Sequence, residues 1–357
     1  MGLIRTLLAL SVVLVHVPGY QAALVGGQFA VQLFYMISGY LISYILVENK
    51  RYEKISDFYF SRYLRLYPVY FVVALLTLLT YLMINSSYFG LYASLPWQAS
   101  TELILSNTFL FGQDYVMFSA IKNGALVFAS NFQDSEVSLW AGLLVPQAWT
   151  LGLELSFYLI APFILHSRKL LIGLLLLSLS LRAYLISIGI GLNDPWTYRF
   201  FPTELLFFIL GALSHQFLSK LYSQWFEESR LKKAAMVSTL AFVAYLLIFP
   251  YIPNVAGVGN IAKISMLFVL FFFALPFFFT FQNMHKLDGK IGDLSYPIYI
   301  SHVLVIFVLG SLFDRDIISR GFPMLATVAA CIVFAFMLDT VVSKKVELIR
   351  VRFKAKA

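Results

Sequence analysis

Long apolar runs alternate with short polar connections along almost the whole chain. Ten runs stand out, over residues 3–19, 29–47, 66–84, 149–166, 170–190, 201–218, 234–252, 261–281, 295–313 and 322–342. About 20 apolar residues carry a helix across a bilayer, so each run predicts one transmembrane helix. A membrane barrel would show shorter segments of strict alternation. The expected fold is all-α: a polytopic integral membrane protein of about ten transmembrane helices. A further apolar stretch, 101–120, is interrupted by Asn107, Gly112, Gln113 and Asp114. As a full span it would invert every later connection. It is therefore expected as an interfacial or re-entrant piece of a long outer loop, 85–148.

Composition agrees. Hydrophobic residues make up 60% of the 357 and charged residues 12%, against roughly 25% charged in soluble domains. A net charge of +8 would suit a nucleic-acid binder, but its distribution points to topology. With the N-terminus inside, 19 of the 26 Lys and Arg fall on inner segments, as the positive-inside rule requires. These are Lys50, Arg51, Lys54, Arg62 and Arg65; Arg168 and Lys169; Lys220, Arg230, Lys232 and Lys233; Lys286 and Lys290; and six between Lys344 and Lys356. The outer side holds Lys122, Arg199, Arg315 and Arg320, with Lys263 near a span end. Both termini are thus expected in the cytoplasm. Residues 1–343 form one membrane domain and 344–357 a basic tail. The first run is read as a span rather than a signal peptide cleaved after Ala22 or Ala23. A single cysteine, Cys331, supports neither an internal disulfide nor a Cys-based metal site, and no metal is expected.

Ionisable groups inside spans are costly and usually face a cavity or a partner. His16, Glu154, Arg182, Glu204, His302 and Asp339 are such groups, with Arg5 at the start of the first span. Arg5 and His16 are 11 residues apart, about three turns and about 16 Å, on one helix face. A donor with an anionic head and a thin reactive arm would fit that face; a packing histidine and a topology arginine are the bland readings. Glu154, about five residues into its span, is expected at a depth where it meets His16. There it would orient the imidazole as an acid does in acyl-transfer triads, or serve only as a hydrogen-bond anchor. Arg62 and Arg65 share a helix face before Pro68, suited to gripping phosphate or to anchoring at the interface. Ser38-Gly39 marks either close helix packing or a gap for a slender acyl arm. His302 is expected in the inner third of its span, at a donor site or in a buried polar contact.

Together these segments resemble membrane acyltransferase family 3, which includes many O-antigen and exopolysaccharide O-acetyltransferases. The matching pieces are RTLLALSVVLVH, LFYMISGYLIS, FYFSRYLRLYP, AWTLGLELSFYLIAPF and GDLSYPIYISH, in the family's order over residues 5–302. The resemblance implies ten spans, acetyl-CoA or another acyl-CoA as donor from the cytoplasm, and a cell-surface or lipid-linked glycan hydroxyl as acceptor. It also implies a bacterial inner membrane. His16 and Glu154 match the family's catalytic groups. Arg5, Arg62, Arg65, Ser38 and His302 fall to donor binding. Two departures stand out: Gln32 where many members have Asp, and Leu155 where many have a second acid. Glu204, held by Arg182, is a candidate substitute, and Arg182, Glu204 and Gln32 are assigned to substrate binding. The expected reaction has His16, oriented by Glu154, taking the proton of a sugar hydroxyl as it attacks the thioester. The alternative is a proton-coupled transporter or flippase of a glycan or lipid-like substrate using the same buried charges.

Overall fold

The structure is a computed structural model that describes residues 1–17, 24–84, 87–253, 260–312 and 323–353. Arg315, Arg320, Lys354, Lys356, Ala22 and Ala23 lie outside the described residues. All ten apolar runs fall on helices. Eight of these are long and apolar enough to cross a membrane: Gly27–Glu48, Ile55–Ile84, Arg168–Ser187, Phe201–Trp225, Glu228–Tyr251, Ile261–Met284, Lys286–Leu312 and Met324–Phe353. The other two runs form shorter helices, Gly2–His16 of 15 residues and Trp149–Ile164 of 16. At 1.5 Å per residue each is about 22–24 Å long, less than the roughly 30 Å of a hydrocarbon core.

In chain order the helices that build the site are α1 (Gly2–His16), α2 (Gly27–Ser43), α3 (Ile55–Ile84), α4 (Ser87–Ser94), α5 (Trp97–Phe109), α6 (Trp149–Ile164), α7 (Arg168–Ser187) and α8 (Phe201–Leu213). The third span starts earlier than the apolar run, because α3 passes through Pro68 without a break. The helix is long enough there to take the missing N–H that proline imposes. The fold is mostly helical, with one small exception to the all-α expectation: a two-stranded antiparallel hairpin, β1 (Ser119–Lys122) and β2 (Ala125–Phe128), closed by Asn123 and Gly124 at positive φ.

Apolar sequence alone cannot say which spans are central, since a helix apolar all round suits lipid as well as core. Packing does. The span containing α2 is 72% buried and that containing α8 61%, against 17% for α7. The α2–α8 pair is the hub, and it closes on two glycines. A Cβ on Gly39 would stand 1.9 Å from the Phe208 carbonyl oxygen, and one on Gly211 1.9 Å from that of Met36. Small residues let the two backbones touch. The gap at Gly39 is therefore filled by α8 and admits no acyl arm.

The 101–120 stretch is the latter part of α5, a 3-10 turn and the start of β1. It turns back along α3. Tyr63, Tyr67 and Tyr70 donate to the carbonyls of Phe109, Thr108 and Asn107 at 3.4, 2.8 and 2.8 Å, supplying partners that the last turn of a helix lacks internally.

Two later helices fix α1. Helix α9 (Lys220–Trp225) continues α8, and α10 (Glu228–Ile248) and α11 (Ile261–Met284) follow as a packed pair. Then come α12 (Lys286–Asp293) and α13 (Ser295–Leu312). Asp288 on α12 accepts the Gly2 and Leu3 amides at 2.7 and 2.8 Å, capping α1. Thr6 donates to the Ile291 carbonyl at 2.8 Å. From there α1 and α13 run side by side in the same direction. The chain closes with α14 (Pro323–Leu338) and α15 (Lys344–Arg350). The stretch expected as a tail packs on α3 as far as it is described. Arg350, 7% exposed, donates to the Ser61 carbonyl, and the Phe353 ring sits 4.8 Å from that of Phe60.

Candidate active site

A cavity of about 310 Å³ runs between α2, α3, α6 and α13. Its charge is unevenly distributed. At one end stand Arg5, Arg51, Arg62 and Arg65, with Asp293 among them. The other end is lined by Val31, Phe34, Tyr35, Thr150 and Tyr299, with Ser38 and Glu154 between. Arg5 is 8% exposed and Arg62 4%, and the Nε of each is buried without a hydrogen-bond partner among the described residues. Arg62 makes one side-chain bond, to the Tyr52 hydroxyl at 3.0 Å. Arg5 reaches this position because Gly292 has no side chain: a Cβ there would lie 2.4 Å from the Arg5 Nη2. Buried guanidinium groups with unused donors form a ready anion site, and their planar forks suit phosphate.

Glu154 sits on the wall of the cavity. Its Oε1 accepts from Ser38 at 2.9 Å and from Tyr158, one turn along α6. Among the described residues, no hydrogen bond joins it to His16. The expected Glu154–His16 pair is not formed: Glu154 lies one turn along α6 past Thr150, which meets Tyr299, whereas His302 and its neighbour His16 lie beyond Tyr299 in the opposite direction. His16 meets His302, with ring centroids 4.9 Å apart and planes at 56°.

The histidine tautomers follow from their other contacts. His16 Nδ1 lies 2.8 Å from the Val12 carbonyl, and His302 Nδ1 lies 2.6 Å from the Tyr299 carbonyl. A carbonyl only accepts, so each neutral ring carries its hydrogen on Nδ1 and leaves a lone pair on Nε2. His302 is fully buried and its Nε2 has no partner among the described residues; His16 is exposed. The main chain, not a carboxylate, therefore fixes the tautomer of His16.

The inner third of its span is where sequence places His302. It stands instead level with His16. Gly292 lies against Arg5, so the ten residues from Gly292 to His302 match the eleven from Arg5 to His16. His302 lines the histidine pair rather than the cavity, but Tyr299 connects the two. The Tyr299 ring is 6.0 Å from that of His302, and its hydroxyl is 2.9 Å from Thr150 Oγ1.

Arg182, Glu204 and Gln32 come together apart from the cavity. Glu204 is fully buried. Arg182 Nη1 pairs with it at 2.8 Å, Gln32 Nε2 donates to it at 3.0 Å, and Arg182 Nη2 donates to the Thr197 carbonyl. None of the three lines the cavity; they clamp α2, α7 and α8. A second cavity of about 600 Å³ lies under the hairpin, lined mainly by aromatic rings including Phe118, Trp196 and Phe200, with Arg199 and Asp114.

Residues 1–341 match the acyltransferase domain family. The chain belongs to membrane acyltransferase family 3. It is an integral membrane acyltransferase. An uncharacterised protein of Aquifex aeolicus (strain VF5) is 28% identical over 216 residues, which cover 59% of this chain and 90% of that protein. No solved structure matches the chain.

Several cavity residues of this acyltransferase do not stand out in the sequence. Arg51 reads there only as a topology charge. Tyr35, Thr150 and Tyr299 lie inside the motifs quoted for the family, one residue among many in each. Their signal is a hydroxyl within an apolar helix, which is common enough to pass as packing.

Proposed function

We propose that this acyltransferase moves an acyl group, most simply acetyl, from cytoplasmic acyl-CoA to a hydroxyl of a cell-surface or lipid-linked glycan. The observation that carries this reading is the joining of two features: a cavity with four arginines at one end, and the histidine pair beyond Tyr299 at the other. Arg5, Arg62 and Arg65 would hold the phosphates of the donor, with Arg51 beside them. The pantetheine arm would run past Ser38 and Glu154. Among the described residues, Glu154 Oε2 makes no hydrogen bond of its own, and it is suited to an amide N–H of that arm.

His16 Nε2 takes the proton from the sugar hydroxyl as its oxygen attacks the thioester carbonyl. The C–S bond then breaks, and the thiolate leaves with a proton to give CoA. His302, neutral and next to His16, is the group against which the new imidazolium forms. General-base help of this kind is typically worth about 10²–10⁴-fold. His16 is exposed while the arginine end is buried, so acceptor and donor would arrive from different sides. The cationic end would then face the cytoplasm, with both termini on that side, in a bacterial inner membrane. Family membership favours this reading over a proton-coupled transporter.

The test is binding and hydrolysis of radiolabelled acetyl-CoA by purified protein, with His16→Ala and Arg5→Ala beside the wild type. Saturable binding weakened about tenfold or more by Arg5→Ala is expected, with turnover lost in His16→Ala at retained binding. A well-folded wild type that binds no acyl-CoA would sink the proposal.

A further inference from the structure

Tyr35 is 3% exposed, and its hydroxyl is buried with no hydrogen-bond partner among the described residues. Its ring is held rigidly. It stacks on Phe208 at 4.5 Å and 22°, and Phe208 stacks on Phe157 at 4.5 Å and 20°. This three-ring stack ties α2 to α8 and α6, and it directs Tyr35 to the cavity wall.

The neighbouring polar groups are all accounted for. Thr150 bonds Tyr299 and the Gln147 carbonyl at 2.9 and 3.1 Å. Tyr299 also donates to that carbonyl. Ser38 and Tyr158 both go to Glu154, and Tyr296 donates to the Leu66 carbonyl. Among the described residues that line this end of the cavity, Tyr35 alone carries a spare donor.

A buried hydroxyl without a partner destabilises the fold. A phenylalanine would complete the same ring stack without that cost, so the stack does not explain the oxygen. A ligand acceptor in the cavity does. The position narrows which acceptor. On α2, Tyr35 stands well away from the arginine end and one residue from Phe34, whose ring is 6.2 Å from that of Tyr299. Tyr299 leads to His302 and His16. An arm entering from the arginines would bring its reactive end, not its phosphates, to this hydroxyl.

We propose that the Tyr35 hydroxyl donates to the carbonyl oxygen of the bound thioester and stabilises the oxyanion formed there. This rests on the acyl-CoA reading above. As the acceptor oxygen bonds to the carbonyl carbon, the C=O electron pair moves to oxygen and the acceptor proton moves to His16 Nε2. Tyr35 O–H shortens its bond to that oxyanion. The pair then returns, the C–S bond breaks, and the thiolate is protonated to CoA. A neutral phenol fixed before the reaction holds developing charge better than the ground-state carbonyl, and losing one such donor typically costs about 10²–10³ in kcat.

Tyr35→Phe keeps the stack and removes only the oxygen. Hydrolysis of radiolabelled acetyl-CoA should fall about 10²–10³-fold in kcat, with donor Kd changed far less than kcat and the unfolding midpoint of the free protein no lower than that of the wild type. A second readout is the infrared band of carbonyl-labelled acetyl-CoA bound to His16→Ala protein. That band should lie at lower frequency with Tyr35 intact than when Tyr35→Phe is added in the same background, a shift that a purely structural role would not produce. Wild-type turnover in Tyr35→Phe, or an unmoved band, would overturn the assignment while leaving the donor reading intact. A wild type that fails to bind acetyl-CoA would overturn both.

Discussion

Arginines serve two separate places here, the cavity and the Arg182–Glu204 pair, and single substitutions separate them. Arg62 and Arg65 line the cavity, so Arg62→Ala and Arg65→Ala are expected to weaken acetyl-CoA binding about tenfold each, with the loss growing smaller at high salt. Charge-assisted contacts of roughly 1.5–3 kcal/mol justify that size. Titration of the two variants by calorimetry at two ionic strengths checks it. Arg182 has a different task. Removing it leaves Glu204 fully buried against only Gln32, and breaking such a pair costs about 3–5 kcal/mol. Arg182→Ala should therefore lower the thermal unfolding midpoint in detergent without changing donor Kd in the protein that remains folded. A changed Kd at full stability would put the cluster back in substrate binding.

Between helices, the α2–α8 contact holds α2, which carries Ser38 and Tyr35 of the cavity wall, in place. Gly39 and Gly211 meet the opposing backbone on opposite sides of one crossing. Gly39→Ala and Gly211→Ala must each push the pair apart, a strain of about 1–3 kcal/mol or more. The adjacent Ser38 would then move away from Glu154. Lower unfolding midpoints and reduced turnover are expected in both, read by thermal denaturation and hydrolysis together; unchanged midpoints would show that the helices do not cross there. The α1–α13 pairing is the second decisive contact. It is not visible in the periodicity of either helix, because both are apolar on nearly every face. The depth of His302 follows from which helix α13 runs beside.

At the scale of the molecule, the proposed function requires a sided enzyme, with the cationic end in the cytoplasm and the hairpin and His16 end outside. Replacing Cys331 with Ala leaves a background in which single cysteines report sidedness. Lys290→Cys in intact cells is expected to resist a membrane-impermeant maleimide, and Ser130→Cys to react. The reverse pattern would invert the topology and the direction of donor entry. The 19 inner-segment basic residues carry this expectation, since a bundle of apolar helices has no sidedness of its own.

Sequence by itself determined the number of apolar runs, the membrane class and the Arg5–His16 spacing, because each follows from composition or from the 1.5 Å rise along one helix. It also carried the family motifs. Distance along a helix is local, so Arg5 and His16 could be placed before any packing was known. Partners across helices are not local. Tertiary structure alone decided that Glu154 turns to Ser38 and Tyr158, that His16 faces His302, and that Gly39 is closed by α8. It alone left the Tyr35 hydroxyl unpaired in the cavity wall. The reason is that helices apolar all round restrict rotation about their axes only weakly, and the close contacts of other helices settle which groups meet.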